Sequence, residues 1–169
     1  MLREFIEQLD KLPQKALARY VSIDTNKPLI GIISAQNDVS ATQNHLDELA
    51  ERVKEAVIAN GANAKIQHVA TVDCSALSGS SAKYDLPSRD LTANAVELVC
   101  SNEFYDGLVF VASEPNVVAG MLIGAIRLNI PCAFVCGGVM SPIVNQRKEH
   151  GYSYFYEQIA SVKKGQNFH

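Results

Sequence analysis

Ser113, Glu114, Pro115 and Asn116 follow the apolar run Val109–Ala112 and precede VVAGML, so they occupy a turn from a buried strand into a helix. In an open α/β sheet that junction faces the ligand crevice, because helix N–H groups and strand carboxyl ends converge there. Ser113 is read as the helix cap, and Pro115 as a first-turn residue whose missing N–H costs nothing. Glu114 is favoured by the helix dipole and repels an anion approaching the same N–H groups. Asn116 neither acts as a base nor carries charge. The turn is well built and chemically quiet.

Other candidates are scattered. Asp73 lies just past a strand end, where a carboxylate either holds a divalent cation weakly or serves the turn. Cys74 beside it has no neighbour in sequence to activate it and reads as a small semi-buried thiol. His45 either orients a substrate or ligates a metal from the first turn of a helix, or simply packs that helix. Ser40 and Gln43 form an S-x-x-Q capping box that explains both without a ligand. Cys132 and Cys136, four apart on a strand, share a face but span too far to chelate one ion well, and read as core. Gly137-Gly138 after them permits close approach of the backbone to a ligand or loop.

Positioning these residues takes alternating strands and helices. PLIGIIS is a continuous apolar run of strand length. From Ala41 to Asn60, Leu46, Leu49, Val53, Ala56 and Val57 form one helical stripe, which Gly61 stops. AKIQHVATV alternates as a strand, and DCSALSGSSAKYDLP is a loop of small residues, long enough to imply a use in binding. Ser88 caps a helix through about Cys100, DGLVFVAS is the next strand, and PNVVAGMLIGAIRLN the next helix. IPCAFVCGG is a further strand and GYSYFYEQIASVKKG a last amphipathic helix. The pattern predicts an α/β single domain, a mostly parallel sheet with helices on both faces. Residues 1–26 read as a helical arm, with Leu2, Phe5, Ile6 and Leu9 on one face, and residues 27–169 as the domain.

A length of 169 residues supports one well-filled core. The formal charge of -3 gives no electrostatic reason to expect nucleic acid or an anionic membrane as partner. No apolar run is long enough to span a bilayer, and MLREFIEQLDKL lacks the h-region of a signal peptide. Four cysteines without a CxxC pair fit reduced thiols in the cytoplasm.

Taken together, KPLIGIISAQND, HLDELAERVKEAV, YDLPSRDLTANAVE, FYDGLVFVAS, GMLIGAIRLNIP and FVCGGVM resemble the N-terminal part of the dihydroxy-acid dehydratase and 6-phosphogluconate dehydratase family, from about Lys27 to Gly165. The resemblance implies a relative of enzymes that dehydrate dihydroxy and sugar acids with an iron–sulfur cluster and magnesium, form dimers, and carry a C-terminal β-barrel domain. It also implies where this chain departs from them. The first cluster cysteine falls on Thr42 and the second on Glu114, while the magnesium-holding aspartate and carbamylated lysine fall on Pro115 and Asn116. The other magnesium aspartate is kept as Asp73, but its Gly-His-Glu-Gly loop has become Gly79, Ser80, Ser81 and their neighbours.

The expectation is therefore a non-catalytic, truncated family relative without cluster or tightly held metal, acting as a binding or assembly module. Thr42, Asp73, Glu114, Pro115 and Asn116 line its crevice, with His45, Ser88, Arg89, Gly137 and Gly138 as candidate ligand contacts. A small hydroxy acid is the ligand class implied. A homo-oligomer or a pairing with a dehydratase paralogue that the chain regulates is the assembly implied. The alternative is one half of a split hydro-lyase completed by a separate C-terminal chain.

Overall fold

The computed structural model describes residues 23–24, 26–40, 42–72, 83–138, 143–145 and 148–163. The arm with Leu2, Phe5, Ile6 and Leu9, and the loop with Asp73, Cys74, Gly79, Ser80 and Ser81, lie outside the described residues.

The apolar run Leu29–Ser34 forms β1, in which the adjacent Ile32 and Ile33 are both fully buried. Successive strand side chains point to opposite faces, so adjacent buried residues need cover on both sides. β1 pairs in parallel with β2 (Asn63–His68) on one edge and β3 (Gly107–Ala112) on the other, and β3 pairs with β4 (Cys132–Cys136). The order is β2-β1-β3-β4. Three helices make the crossovers: α1 (Leu46–Ala59), α2 (Asp85–Ser101) and α3 (Pro115–Leu128). Right-handed connections that run out to β2 and then back to β3 and β4 put α1 on one face and α2 with α3 on the other. This is the α/β sheet, helices on both faces, that the alternation of apolar runs implies.

The chain divides into two compact units, one ending at Gly137 and one beginning at Gly138. The second contains an antiparallel pair, β5 (Ile143–Asn145) with β6 (Lys148–His150), and the expected last helix, α4 (Tyr152–Lys163). The pair escapes the sequence reading because three residues per strand are too few to show a period. No helix among the described residues is long and apolar enough to cross a membrane.

Four local readings need correction. α1 begins at Leu46, not Ala41, because residues 42–45 form a turn on Ser40, whose carbonyl accepts from Gln43 N and Asn44 N. Ser40 and Gln43 consequently make no capping box: the Gln43 amide oxygen accepts from Thr71 and its amide nitrogen reaches nothing. Ser88 does not cap α2, which starts at Asp85; its hydroxyl donates back to the Asp85 carbonyl at 2.5 Å. Cys132 and Cys136 are exposed rather than core, since β4 is an edge strand. The stop at Gly61 stands as expected. With φ of 86°, Gly61 donates to Ile58 O while Ala62 N reaches Val57 O, a Schellman closure that needs a left-handed residue.

α2 and α3 meet through small residues. A Cβ on Gly120 would lie 2.6 Å from Arg89 O and 2.7 Å from the Thr92 Cβ, and one on Gly124 would lie 2.7 Å from Val96. Because backbone yields less readily than a side-chain tip, Gly120→Ala should push the helices apart. The expected loss is about 1–3 kcal/mol in denaturant unfolding, despite the better helix propensity of alanine.

Candidate functional site

In the order β2-β1-β3-β4 the connections leaving β1 and β3 run in opposite directions, which opens a crevice at the carboxyl ends of these two strands. The segment after β1 turns tightly. Gln36 N bonds Ser34 Oγ (3.2 Å), Val39 N bonds Asn37 Oδ1 (3.1 Å), and Ser40 N bonds Asn37 O (3.1 Å). These turns carry Thr42 across to the segment after β3, where its Oγ1 donates to Glu114 Oε1 at 2.8 Å. With the Thr42 proton committed, Ser40 Oγ donates to Thr42 Oγ1 at 3.1 Å. Ser40 is 1% exposed and Glu114 5%, so both ends of this chain are buried, with the half-buried Thr42 between them. Burying a carboxyl group requires such donors, since without them the desolvation cost is severe.

Glu114, not Ser113, is the N-cap residue of α3. Its backbone is extended (φ -73°, ψ 135°), its side chain makes no capping bond, and Val118 N closes the first turn on Glu114 O. Pro115 takes the first helical position as expected. The Ser113 hydroxyl, freed from capping, is buried without a hydrogen-bond partner. Asn116 ties α3 to α2: it accepts from an Arg89 terminal nitrogen at 2.6 Å and donates to Asp85 Oδ1. His45 Nε2 donates to Gly137 O at 2.9 Å, the carbonyl just past β4. Gly137 is required there. A Cβ would collide with Leu46, with Ser113 Oγ (2.5 Å) and with His45 Nε2 (3.0 Å). The close backbone approach expected at Gly137 is thus to α1 and Ser113. Gly138, with φ of 75°, has open space where a Cβ would stand.

At the carboxyl ends of the strands hydrogen bonds join Thr42 to Glu114, Arg89 to Asn116 and His45 to Gly137, with Pro115 between Glu114 and Asn116. Ser88 is turned to its own helix backbone. Asp73 lies outside the described residues. Gln43, Thr71 and Asp85 were missed as site residues. Gln43 is fully buried, and its Oε1 accepts from Thr71 Oγ1 at 2.8 Å, with Ala35 O at 3.3 Å from the same hydroxyl. The signal for Asp85 was its place in YDLPSR beside Arg89; for Thr71 it was position alone, past the end of β2.

A cavity of about 250 Å³ lies at the opposite, amino-terminal end of the sheet, lined by Glu97, Cys100, Glu103, Tyr105, Arg127 and Ile130. Burial, helped by Glu103, pushes the Cys100 thiol from 9.0 up to about 12 and the Tyr105 phenol from 10.0 up to about 12. A thiol held protonated is a poor nucleophile. Open parallel sheets bind at their carboxyl ends, so this cavity is not the candidate site.

The family model described as "Dihydroxy-acid/6-phosphogluconate dehydratase N-terminal" matches residues 27–168. The chain is 34% identical to a dihydroxy-acid dehydratase of Dehalococcoides mccartyi (strain CBDB1) over 166 residues, covering 94% of this chain and 30% of that protein. It is 36% identical to a dihydroxy-acid dehydratase of Methanococcus vannielii over 157 residues, covering 90% of this chain and 28% of that protein. The chain thus spans about 30% of the length of the curated relatives it matches.

Two outcomes are expected from this geometry. Thr42→Val removes a hydrogen bond to a buried carboxyl group and should lower unfolding free energy by about 1–3 kcal/mol, a loss absent in a Glu114→Leu background. Alkaline pH should also destabilise the fold. Cys100 and Tyr105 keep their protons until about pH 12 when folded, whereas the unfolded groups release theirs near 9.0 and 10.0. Stability contributed below pH 9.0 is therefore lost as pH rises toward about 12. Denaturant melts across that window should show the decline, shallower in Cys100→Ala.

Proposed function

Since this chain belongs to the dihydroxy-acid/6-phosphogluconate dehydratase N-terminal family, we propose that it is a member whose cluster corner has been rebuilt, acting as a non-catalytic binding and assembly module. The observation that carries this reading is the hydrogen bond from Thr42 to Glu114. By resemblance these positions correspond to two cluster cysteines. A soft iron–sulfur centre takes thiolates, whereas a hydroxyl and a carboxyl bonded to one another offer neither thiolate nor free space between them. Of the described cysteines, Cys100 is buried on α2 and Cys132 opens β4; only Cys136 stands near the crevice end, exposed on the edge strand. One thiolate does not hold a cluster. Asn116, by resemblance at the position of a metal-holding lysine, bonds instead to Arg89 and Asp85. Among the described residues, the donors at the two cluster positions do not fit an iron–sulfur centre.

Assembly is supported by apolar side chains on the outer surface of the first unit. Leu91 and Leu98, seven apart on α2, are 54% and 75% exposed, and Leu122 and Ile126, four apart on α3, are 48% and 70% exposed. Apolar residues concentrated on adjacent helices favour a partner, and a second copy is the simplest one. The same surface favours a second reading. In that reading the chain is half of a split hydro-lyase and docks a separate C-terminal chain, which would have to bring the missing ligands.

Native mass spectrometry with metal analysis tests both parts at once. After anaerobic incubation with iron and sulfide, the protein should appear as a dimer or larger closed assembly without bound iron. A loaded iron–sulfur cluster would overturn the rebuilt-corner reading, and a strict monomer at micromolar concentration would remove the assembly role.

A further inference from the structure

The two edges of the parallel sheet are built differently. β2, at one edge, carries Lys65 and ends on the exposed His68, and the Asn63 side chain that begins it donates to the Asp24 and Lys27 carbonyls. Charge and side-chain cover of this kind keep an edge strand from pairing with another chain. β4, at the other edge, reads CAFVC. It carries no charge and no proline, its register with β3 is unbroken by a bulge, and Cys132, Ala133 and Cys136 are exposed. Among the described residues no strand pairs with its outer side. An apolar edge without such protection is a template for another strand.

The outward backbone groups of β4 follow from its ladder. Pro131 O accepts from Leu108 N at 2.9 Å, and Gly137 N donates to Ala112 O at 3.0 Å. Residues that bond one neighbour alternate along a parallel strand with residues that face the other way, so Ala133 and Val135 also turn their N–H and C=O to β3. Cys132, Phe134 and Cys136 turn theirs outward. Their side chains share a face too. A Cβ on Gly137 would meet Leu46, the first residue of α1, so by alternation Cys132, Phe134 and Cys136 point to the face of α2 and α3. On that face α2 crosses from β2 to β3 and α3 from β3 to β4, so the side of α3 away from α2 is the side of the free edge. Gly120 and Gly124 touch α2. Leu122 and Ile126, each two residues on and about 200° further round the helix, turn away from α2 and are exposed.

The strand that fits this edge is its own reverse. Turned about a two-fold axis at Phe134, a second β4 lies antiparallel with Cys132 opposite Cys136, Ala133 opposite Val135 and Phe134 opposite its counterpart. Each residue with outward backbone groups then meets another such residue, as paired antiparallel hydrogen bonds require. No like charges are opposed, and the aromatic pair stands at the centre. The same rotation brings Leu122 and Ile126 towards their counterparts. We propose that two copies of this chain join edge to edge through β4 about this axis, making one continuous sheet. The proposal names the contact for the assembly role above and rests on it.

The test is disulfide trapping of the full chain in a Cys74→Ser background, with native mass spectrometry before oxidation; Cys100 is buried and takes no part. Opposed residues in the bonded register stand about 5.5 Å apart between Cα atoms, within the roughly 4.4–6.8 Å that a disulfide spans. Like residues lie four positions apart along the pair, about 13 Å. Cys132→Ser alone and Cys136→Ser alone are therefore expected to give no covalent dimer on mild oxidation, whereas a mixture of the two should give one, linked from Cys136 to Cys132. Cys132→Lys, which places a charge on the edge, should weaken the dimer about tenfold or more. A dimer whose single variants link as readily as the mixture, or that is unchanged by Cys132→Lys, would overturn the edge pairing and leave the assembly role standing. A strict monomer at micromolar concentration, unlinked even in the mixture, would overturn both.

Discussion

Strand β1 is hydrogen-bonded in parallel on both sides, residue for residue, to β2 and β3. A parallel neighbour cannot be reached by a hairpin, so each pairing demands a crossover, and right-handedness then decides the face of each helix. With β2 on one side and β3 on the other, the crossovers from β1 and β3 diverge, and the segments after Ser34 and after Ala112 are left facing one another. The burial of Ile32, Ile33, Phe110 and Val111 is a consequence of this arrangement, as two central strands covered on both faces have no solvent side. So is the exposure of Cys132 and Cys136 on β4, which among the described residues has one neighbouring strand.

The crevice so formed is closed largely from within. Thr42 bonds Glu114, Asn116 joins Arg89 to Asp85, and His45 reaches Gly137 O, so that α1, α2, α3 and the end of β4 are stitched at one end of the sheet. Among the described residues, side-chain hydrogen bonds do the organising at this point. Such bonds are directional, and one of them serves the buried Glu114 carboxyl group. A parallel sheet is held by its core, so the side chains at its carboxyl end can vary while the architecture is kept.

Glycine has a sharply localised part in this. Gly120 and Gly124 let α3 lie against α2, and Gly137 lets the end of β4 pass beside His45 and Ser113. At each of these places the opposing atoms include backbone or tightly packed side chains, so the space is fixed by neighbours far away in sequence. At Gly61 the demand is different and local: a positive φ that ends α1.

What the sequence determined alone follows from that contrast between local and distant causes. Apolar runs at Leu29–Ser34 and Gly107–Ala112, the 3.6-residue stripe of Leu46, Leu49 and Val53, Pro115 in a first turn and Gly61 after a last one are all set by interactions within a few residues. They made the α/β class and its parallel sheet readable without coordinates, and the family resemblance readable with them. The roles of Gln43, Ser88, Ser113 and Cys136 were not readable. Each fits a local rule, as capping partner, cap, cap and core residue, and in each the tertiary structure decided otherwise. Thr71 takes the Gln43 amide oxygen, Asp85 begins its helix three residues before Ser88, Glu114 displaces Ser113 from the cap, and the edge position of β4 exposes Cys136. Polar side chains choose among partners of similar energy, and which partner is within 3 Å depends on strand order and helix placement that no local pattern contains.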